Sequence, residues 1–212
     1  MAGFLLRATG TVARPPAHRN EYASISNNGK KLVHDLTDTV TGTPQLLGVT
    51  DLTEGTTTSL GLVGDNAVWS PNGRYIAYHN FEDHIRSGGD PNVPVVLNIV
   101  PATGGTPVTV RAWGGNPSWS NNSRRLAFTD WFNGYVGTVG LDGSETKFDV
   151  DTLGSYEGYG CNPAYSPDGK TIVFSGIVGG DPTTAGLYTV SVYGGDPVVL
   201  FDRPGKGEWD PA

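Results

Sequence analysis

Residues 162–176 read NPAYSPDGKTIVFSG. Its centre, Ser166-Pro167-Asp168-Gly169, is a tight-turn signature. Pro167 pre-sets φ, Asp168 can bond nearby backbone amides, and Gly169 accepts φ > 0. The apolar run Ile172, Val173, Phe174 follows at once, so the stretch predicts a short strand, a turn and a second strand. The same grammar recurs. Residues 66–80 read NAVWSPNGRYIAYHN, residues 116–130 read NPSWSNNSRRLAFTD, and residues 21–36 read EYASISNNGKKLVHDL, a weaker copy. The residue before the turn serine is Ile25, Trp69, Trp119 and Tyr165 in turn, at spacings of 44, 50 and 46 residues. Self-similarity at such a period denotes a repeat architecture.

Each repeat carries two further strands. Third strands are PQLLGVTDL, PVVLNIVPA, GYVGTVGLD and GLYTVSVYGG, and fourth strands are TTSLGL, PVTVRA, TKFDV and PVVLF, with tight turns such as TGGT, DGSE and YGGD between them. Runs apolar on both faces suit sheets sandwiched between neighbours. Four strands per repeat of 40 to 50 residues is the sequence form of a β-propeller blade. One such sheet cannot bury two apolar faces, but a ring of them can. The fold expected is therefore all-β, a propeller of four-stranded antiparallel blades at about 21–65, 66–115, 116–160 and 161–206. Residues 1–20 form an N-terminal extension with a strand near GFLLRATGTV. In the final GEWDPA, Asp210, Pro211 and Ala212 match Asn162, Pro163 and Ala164. Residues 207–212 thus read as the start of a fifth blade, and the ring is expected to be incomplete.

Composition agrees. Gly (31) and Pro (15) are abundant in the 212 residues and only 17% are charged, which fits short strands and turns better than long helices. A net charge of −7 argues against a non-specific nucleic-acid binder, which needs a cationic face to neutralise phosphates. No stretch is long and apolar enough to span a bilayer, and the N-terminal apolar run is too short for a signal-peptide core. Cys161 is the only cysteine, so there is no intrachain disulfide and no cysteine clue to compartment.

WSPNGRYIAY (69–78) and YSPDGKTIVF (165–174), each followed by an extended strand and a Gly-Gly turn, resemble the repeat of TolB-like β-propellers. The same repeat occurs in propeller domains of prolyl-oligopeptidase-like and tricorn-like peptidases. The resemblance covers roughly residues 21–212. SNNG at 26–29 and SNNS at 120–123 lack the proline, and Ser123 also replaces the turn glycine. Asparagine tolerates the left-handed region, so these turns are expected to survive. A WD-type repeat does not fit, because Trp209-Asp210 falls in a link between repeats and no Gly-His pair occurs. A sialidase-type Asp-box needs one more residue between Asp and Gly. Asp168 therefore reads as a turn residue.

In such a blade the first-to-second and third-to-fourth turns emerge on one face, and here they are short. The second-to-third loops and inter-blade links emerge on the other. They include residues 79–93, TDWFNG, SGIVGGDPTTAG, WGGN and DTLGSYEGYG. Irregular loops on a rigid scaffold are where function usually sits, so this long-loop face is the expected binding face for a protein partner or a small ligand. Candidate binding residues on it are His84, Arg86, Trp131, Phe132, Tyr156 and Tyr159, of which the aromatics can serve as anchors. His79, Glu82, Asp83 and His84 have metal-ligand chemistry, but the loop reads more simply as a polar insertion, with Asp83 and Arg86 a solvated pair. Ile25, Trp69, Trp119 and Tyr165 read as inter-blade core.

No Gly-x-Ser-x-Gly elbow, His-Glu-x-x-His, phosphate loop or cysteine pair occurs, so no catalytic, cofactor or metal site is assigned. The first functional expectation is a non-catalytic binding module. By resemblance, TolB-like propellers act in the cell envelope and bind protein partners. The second is the propeller part of a larger hydrolase. The third is a propeller lyase with a metal on the His79–Arg86 loop. An unclosed ring also exposes blade edges that invite self-association.

Overall fold

The computed structural model describes residues 23–36, 46–80, 84, 87–130, 132–148, 162–176 and 186–202. They form four antiparallel four-stranded sheets, each in chain order with no crossover. The first contains β1 (Ala23–Ile25), β2 (Lys31–Leu36), β3 (Leu46–Asp51) and β4 (Thr56–Val63). The second contains β5 (Asp65–Trp69), β6 (Tyr75–Asn80), β7 (Val96–Pro101) and β8 (Val108–Ala112). The third contains β9 (Gly114–Trp119), β10 (Arg125–Asp130), β11 (Tyr135–Gly140) and β12 (Glu145–Lys147). The fourth contains β13 (Ala164–Tyr165), β14 (Thr171–Gly176), β15 (Gly186–Ser191) and β16 (Val198–Asp202). The first strands of successive sheets contact one another, so they line the axis while the fourth strands lie outside. These are four-stranded antiparallel sheets of the kind expected of the fold. The N-terminal strand near residues 3–12 and the partial blade at 207–212 lie outside the described residues.

The turn that opens each blade is built by a serine and an Asx residue. In the second blade Ser70 Oγ donates to Asn72 Oδ1 at 2.9 Å and accepts from Tyr75 N at 2.9 Å, while Asn72 Oδ1 accepts from Arg74 N at 3.0 Å. Ser26/Asn28, Ser120/Asn122 and Ser166/Asp168 repeat the pattern, so Asp168 is the turn residue expected. The left-handed residue that closes the turn is Gly29, Gly73 and Gly169 in three blades. In the third it is Ser123, at φ 58°. The expectation that asparagine would carry this conformation is corrected. Ser123 bears it, and its buried Oγ accepts a bond from Asn72 N at 3.0 Å in the neighbouring blade, which offsets the strain.

The core lies in the seams between blades. Trp69 packs with Val33 and Leu47 of the first blade, and Trp119 packs with Ala77 and Leu97 of the second. Tyr165 packs on a cluster containing Ala127 and Val136 of the third. Each anchor therefore faces the preceding blade. Burying a large apolar side chain contributes roughly 1.5–3 kcal/mol, and every seam receives one such anchor. Ile25 is the exception. It was expected in the core but is 56% exposed, because its side chain faces the position preceding the first blade, where no described residues lie. The register supports this. Tyr78, Phe128 and Phe174 are buried at one position of the second strand, whereas the first blade has His34 there, bonded to Thr50 Oγ1 at 2.8 Å.

Candidate functional site: the long-loop face at the seam of the second and third blades

Asp130 ends β10 and organises the loop after it. One carboxylate oxygen accepts from Phe132 N at 3.0 Å and Asn133 N at 2.8 Å, the other from Asn133 Nδ2 at 3.0 Å. Gly134 N closes the turn on the Asp130 carbonyl at 2.8 Å. The loop thus displays Phe132, which is 54% exposed. Its ring stacks on Trp113 at 4.7 Å between centroids and 26° between planes. The edge of Trp113 meets the His84 ring at 5.7 Å. His84 in turn donates from Nδ1 to the Val93 carbonyl at 2.7 Å, and its own carbonyl accepts from Ser87 Oγ and Gly89 N. Three rings from three segments form one continuous surface.

Trp113 is the single residue between β8 and β9, and its φ is +61°. A bulky side chain in the left-handed region costs of order 1–3 kcal/mol and persists only where its surroundings impose it. Here they are the two flanking strands and the stacked rings.

The buried Asp130 carboxylate also anchors an ion network whose other members, Arg111 and Glu145, are partly exposed. Arg111 Nη2 donates to Asp130 Oδ2 at 2.9 Å and to the Tyr135 hydroxyl at 2.6 Å. Tyr135 donates to Glu145 Oε1 at 2.8 Å, and Arg111 Nε lies 3.5 Å from Glu145 Oε2. Asp130 is fully buried. Burial, then the bond to Glu145, pushes the Tyr135 hydroxyl well above the usual tyrosine range. Nearer the axis, Asn66 Nδ2 donates to Asn116 Oδ1 at 2.7 Å, Asn116 N donates to His79 Nδ1 at 3.3 Å, and His79 Nε2 pairs with Asp65.

Of the six sequence-derived candidates, the structure brings His84 and Phe132 together through Trp113. Arg86, Trp131, Tyr156 and Tyr159 lie outside the described residues, as do Glu82 and Asp83. His79 belongs to the axial network and His84 to the aromatic surface. Among the described residues no group of three or more His, Cys, Asp or Glu is placed to hold a metal. Trp113 was not among the candidates. Aligning WGGNPSW (113–119) with YGCNPAY (159–165) puts it at the position of Tyr159, and that register was the signal available.

No protein-family profile and no curated protein matches this sequence. Solved structures do. A TolB structure from Agrobacterium tumefaciens aligns with a TM-score of 0.64 and 21% identity over 86% of this chain and 62% of that one. TolB from Acinetobacter baumannii aligns at 0.62 and 14% over 85% of this chain and 43% of that one. A puromycin hydrolase aligns at 0.60 and 18% over 92% of this chain and 30% of that one. The fold is a TolB-like β-propeller. The chain spans less than two thirds of the length of each of these proteins. Among the described residues the four sheets are not closed into a ring.

Proposed function

We propose that the chain is a non-catalytic binding module whose long-loop face takes a protein or ligand, with Phe132 on Trp113 as its anchor. One observation carries this reading. A half-exposed phenylalanine is held on a tryptophan in a strained conformation, and its loop is fixed by the buried Asp130 carboxylate, which pairs with Arg111. A solvent-facing ring that serves only packing does not require such support. Rigid aromatic surface gives contact area at low entropic cost.

The test is selection of a displayed peptide library on the immobilised chain, followed by affinity measurement of the enriched peptides. Phe132→Ala and Trp113→Ala should each weaken them tenfold or more, the scale of an aromatic anchor. Enriched peptides that bind both variants as tightly as the parent chain overturn the reading.

A second reading is the propeller part of a larger hydrolase. The alignment with 30% of the puromycin hydrolase favours it. A Gly-x-Ser-x-Gly elbow encoded in the same open reading frame would support it, and a gene without one would remove it.

A further inference from the structure

The short-turn face is notched at its first seam. Turn-to-turn bonds clasp the second and third seams, from Asn72 N to Ser123 Oγ and from Asn121 Nδ2 to the Pro167 carbonyl. Among the described residues no such bond joins the turns of the first two blades. Gly73 stands where Ser123 does and has no hydroxyl to offer Asn28 N. A Cβ at that place would meet nothing within 4 Å. Asn27 stands where Asn121 does, yet its amide bonds nothing among the described residues.

A groove of about 330 Å³ results, at the small end of ligand sites. Its lining holds uncommitted polar groups. Asn28 Oδ1 and Asn72 Oδ1 are engaged by their turns, accepting from Lys30 N and Arg74 N at 3.0 Å. That leaves both Nδ2 groups as donors without a partner. The Thr103 hydroxyl also bonds nothing among the described residues. In the wall the Trp69 indole N–H is buried without an acceptor, whereas the equivalent Trp119 N–H donates to the Val68 carbonyl at 3.2 Å. A buried donor left so carries a desolvation cost that a ligand oxygen would remove.

Charge does not select the ligand. No carboxylate lines the groove, its one cation is Lys31, and Asp51 stands opposite Lys31 in the strand pair. The surrounding face mixes Lys30, Arg74, Arg124 and Lys170 with Asp51, Glu54, Asp142 and Asp168. Nor do the walls offer a backbone edge for a peptide to pair with, since Gly29 N, Lys30 N, Gly73 N and Arg74 N are all spent inside the turns. Recognition is left to neutral side-chain amides, a hydroxyl and an indole. We infer that the groove between the first two turns binds a neutral saccharide, whose hydroxyls accept from Trp69 Nε1, Asn28 Nδ2 and Asn72 Nδ2 and donate to Asn27 Oδ1. A sugar hydroxyl both accepts and donates, so it suits a lining of mixed donors and acceptors without net charge. The site is distinct from the aromatic surface and does not rest on the function proposed for it.

The test is a heteronuclear NMR titration with cellotriose, maltotriose and chitotriose, each at millimolar concentration, reading the indole N–H resonances. At least one sugar should move the Trp69 resonance saturably and leave those of Trp113 and Trp119 in place. Asn27→Ala changes a position where two other blades carry Pro71 and Pro167, so the turn is spared. It should weaken binding roughly threefold to tenfold, the worth of one hydrogen bond. Gly73→Ser should clasp Asn28 N as Ser123 clasps Asn72 N, close the groove and abolish binding, with the Trp119 resonance reporting that the fold is kept. No movement of the Trp69 resonance with any of the three sugars, or unchanged affinity in both variants, overturns the inference. Movement at Trp113 instead would put the sugar on the aromatic surface and overturns the site. Tighter binding of trialanine than of any sugar overturns the choice of ligand.

Discussion

Replacing Arg111 with Met keeps the unbranched stem of the side chain and removes the charged guanidinium. In the parent chain the guanidinium pairs with Asp130, whose side chain has no exposed surface, and also contacts Tyr135 and Glu145. Breaking a buried pair from one side costs about 3–5 kcal/mol, because it leaves an uncompensated charge. Asp130 would retain three N–H donors, from Phe132 and Asn133, so the low end applies, about 3 kcal/mol. For a chain of this size each kcal/mol shifts the melting temperature by roughly 2–4 °C, which gives a fall of about 6–12 °C. Differential scanning calorimetry at neutral pH reads this directly. The second arm is Arg111→Met with Asp130→Asn. If the cost is the orphaned carboxylate, the double variant regains part of the loss, by about 1–2 kcal/mol. A fall of under 2 °C for Arg111→Met, or a double variant that merely adds two losses, would refute Arg111 as the counter-charge that the buried Asp130 carboxylate requires.

Other consequences are simpler to check. Asp168 does in the fourth blade what Asn28, Asn72 and Asn122 do in the others. Asp168→Asn should therefore melt within a degree or two of the parent at pH 7, while Asp168→Ala, which removes the acceptor of the turn, should unfold at a lower urea concentration. The bonds from Ser166 and Lys170 hold the Asp168 carboxyl below its usual range, so its contribution is present above the unfolded-state value near 4 and lost as pH falls through the folded one. The parent should accordingly lose stability in acid faster than Asp168→Asn does. Burial pushes the Tyr78 hydroxyl up to about 12. That stabilisation is complete below pH 10 and lost as pH rises from 10 towards 12, and Tyr78→Phe should flatten the alkaline limb of a stability–pH curve. Val198, Val199 and Leu200 are all exposed on the outer strand β16, an edge open to pairing. Val199→Lys should reduce any concentration-dependent association seen by sedimentation velocity, and an unchanged profile would exclude this edge as the contact.

The blades were legible because a serine, an Asx and a left-handed residue at fixed spacing have few other uses, and their side-chain bonds are local. Trp69 and Trp119 were legible for a similar reason, since an aromatic at a repeating register in an apolar context belongs to a seam. Ile25 was misread because register reports which way a residue faces, not whether anything lies there. The conformation of Ser123 depends on a bond from Asn72, fifty-one residues away, which no local rule contains. Trp113 was missed for the opposite reason. It sits in a one-residue link between β8 and β9, and a link between glycine and strand signals reads as spacer until the contacts to Phe132 and His84 are seen.

The aromatic surface also stands on a particular seam. Across the first seam, Trp69 N donates to Ser24 Oγ, and across the third Tyr165 N donates to Ser118 Oγ and Asn121 bonds the next turn. Among the described residues the second seam carries the most such bonds, Asn66 to Asn116, Asn116 to His79, Trp119 to Val68, Asn72 to Ser123, and Arg111 to Asp130 and Tyr135. In a repeat protein stability is close to a sum of blade and seam contributions, so a heavily bonded seam resists local opening more than its neighbours. Placing Phe132 over that seam fixes the ring before anything binds it, which lowers the ordering cost of association. Hydrogen exchange should therefore find the Ser118 and Ala127 amides, on paired strands of the third blade, slower than Ala164 and Val173 at the same register of the fourth. The reverse order would mean that the second seam's polar bonds do not stiffen it, and the structural case for a pre-formed binding face would fail with them.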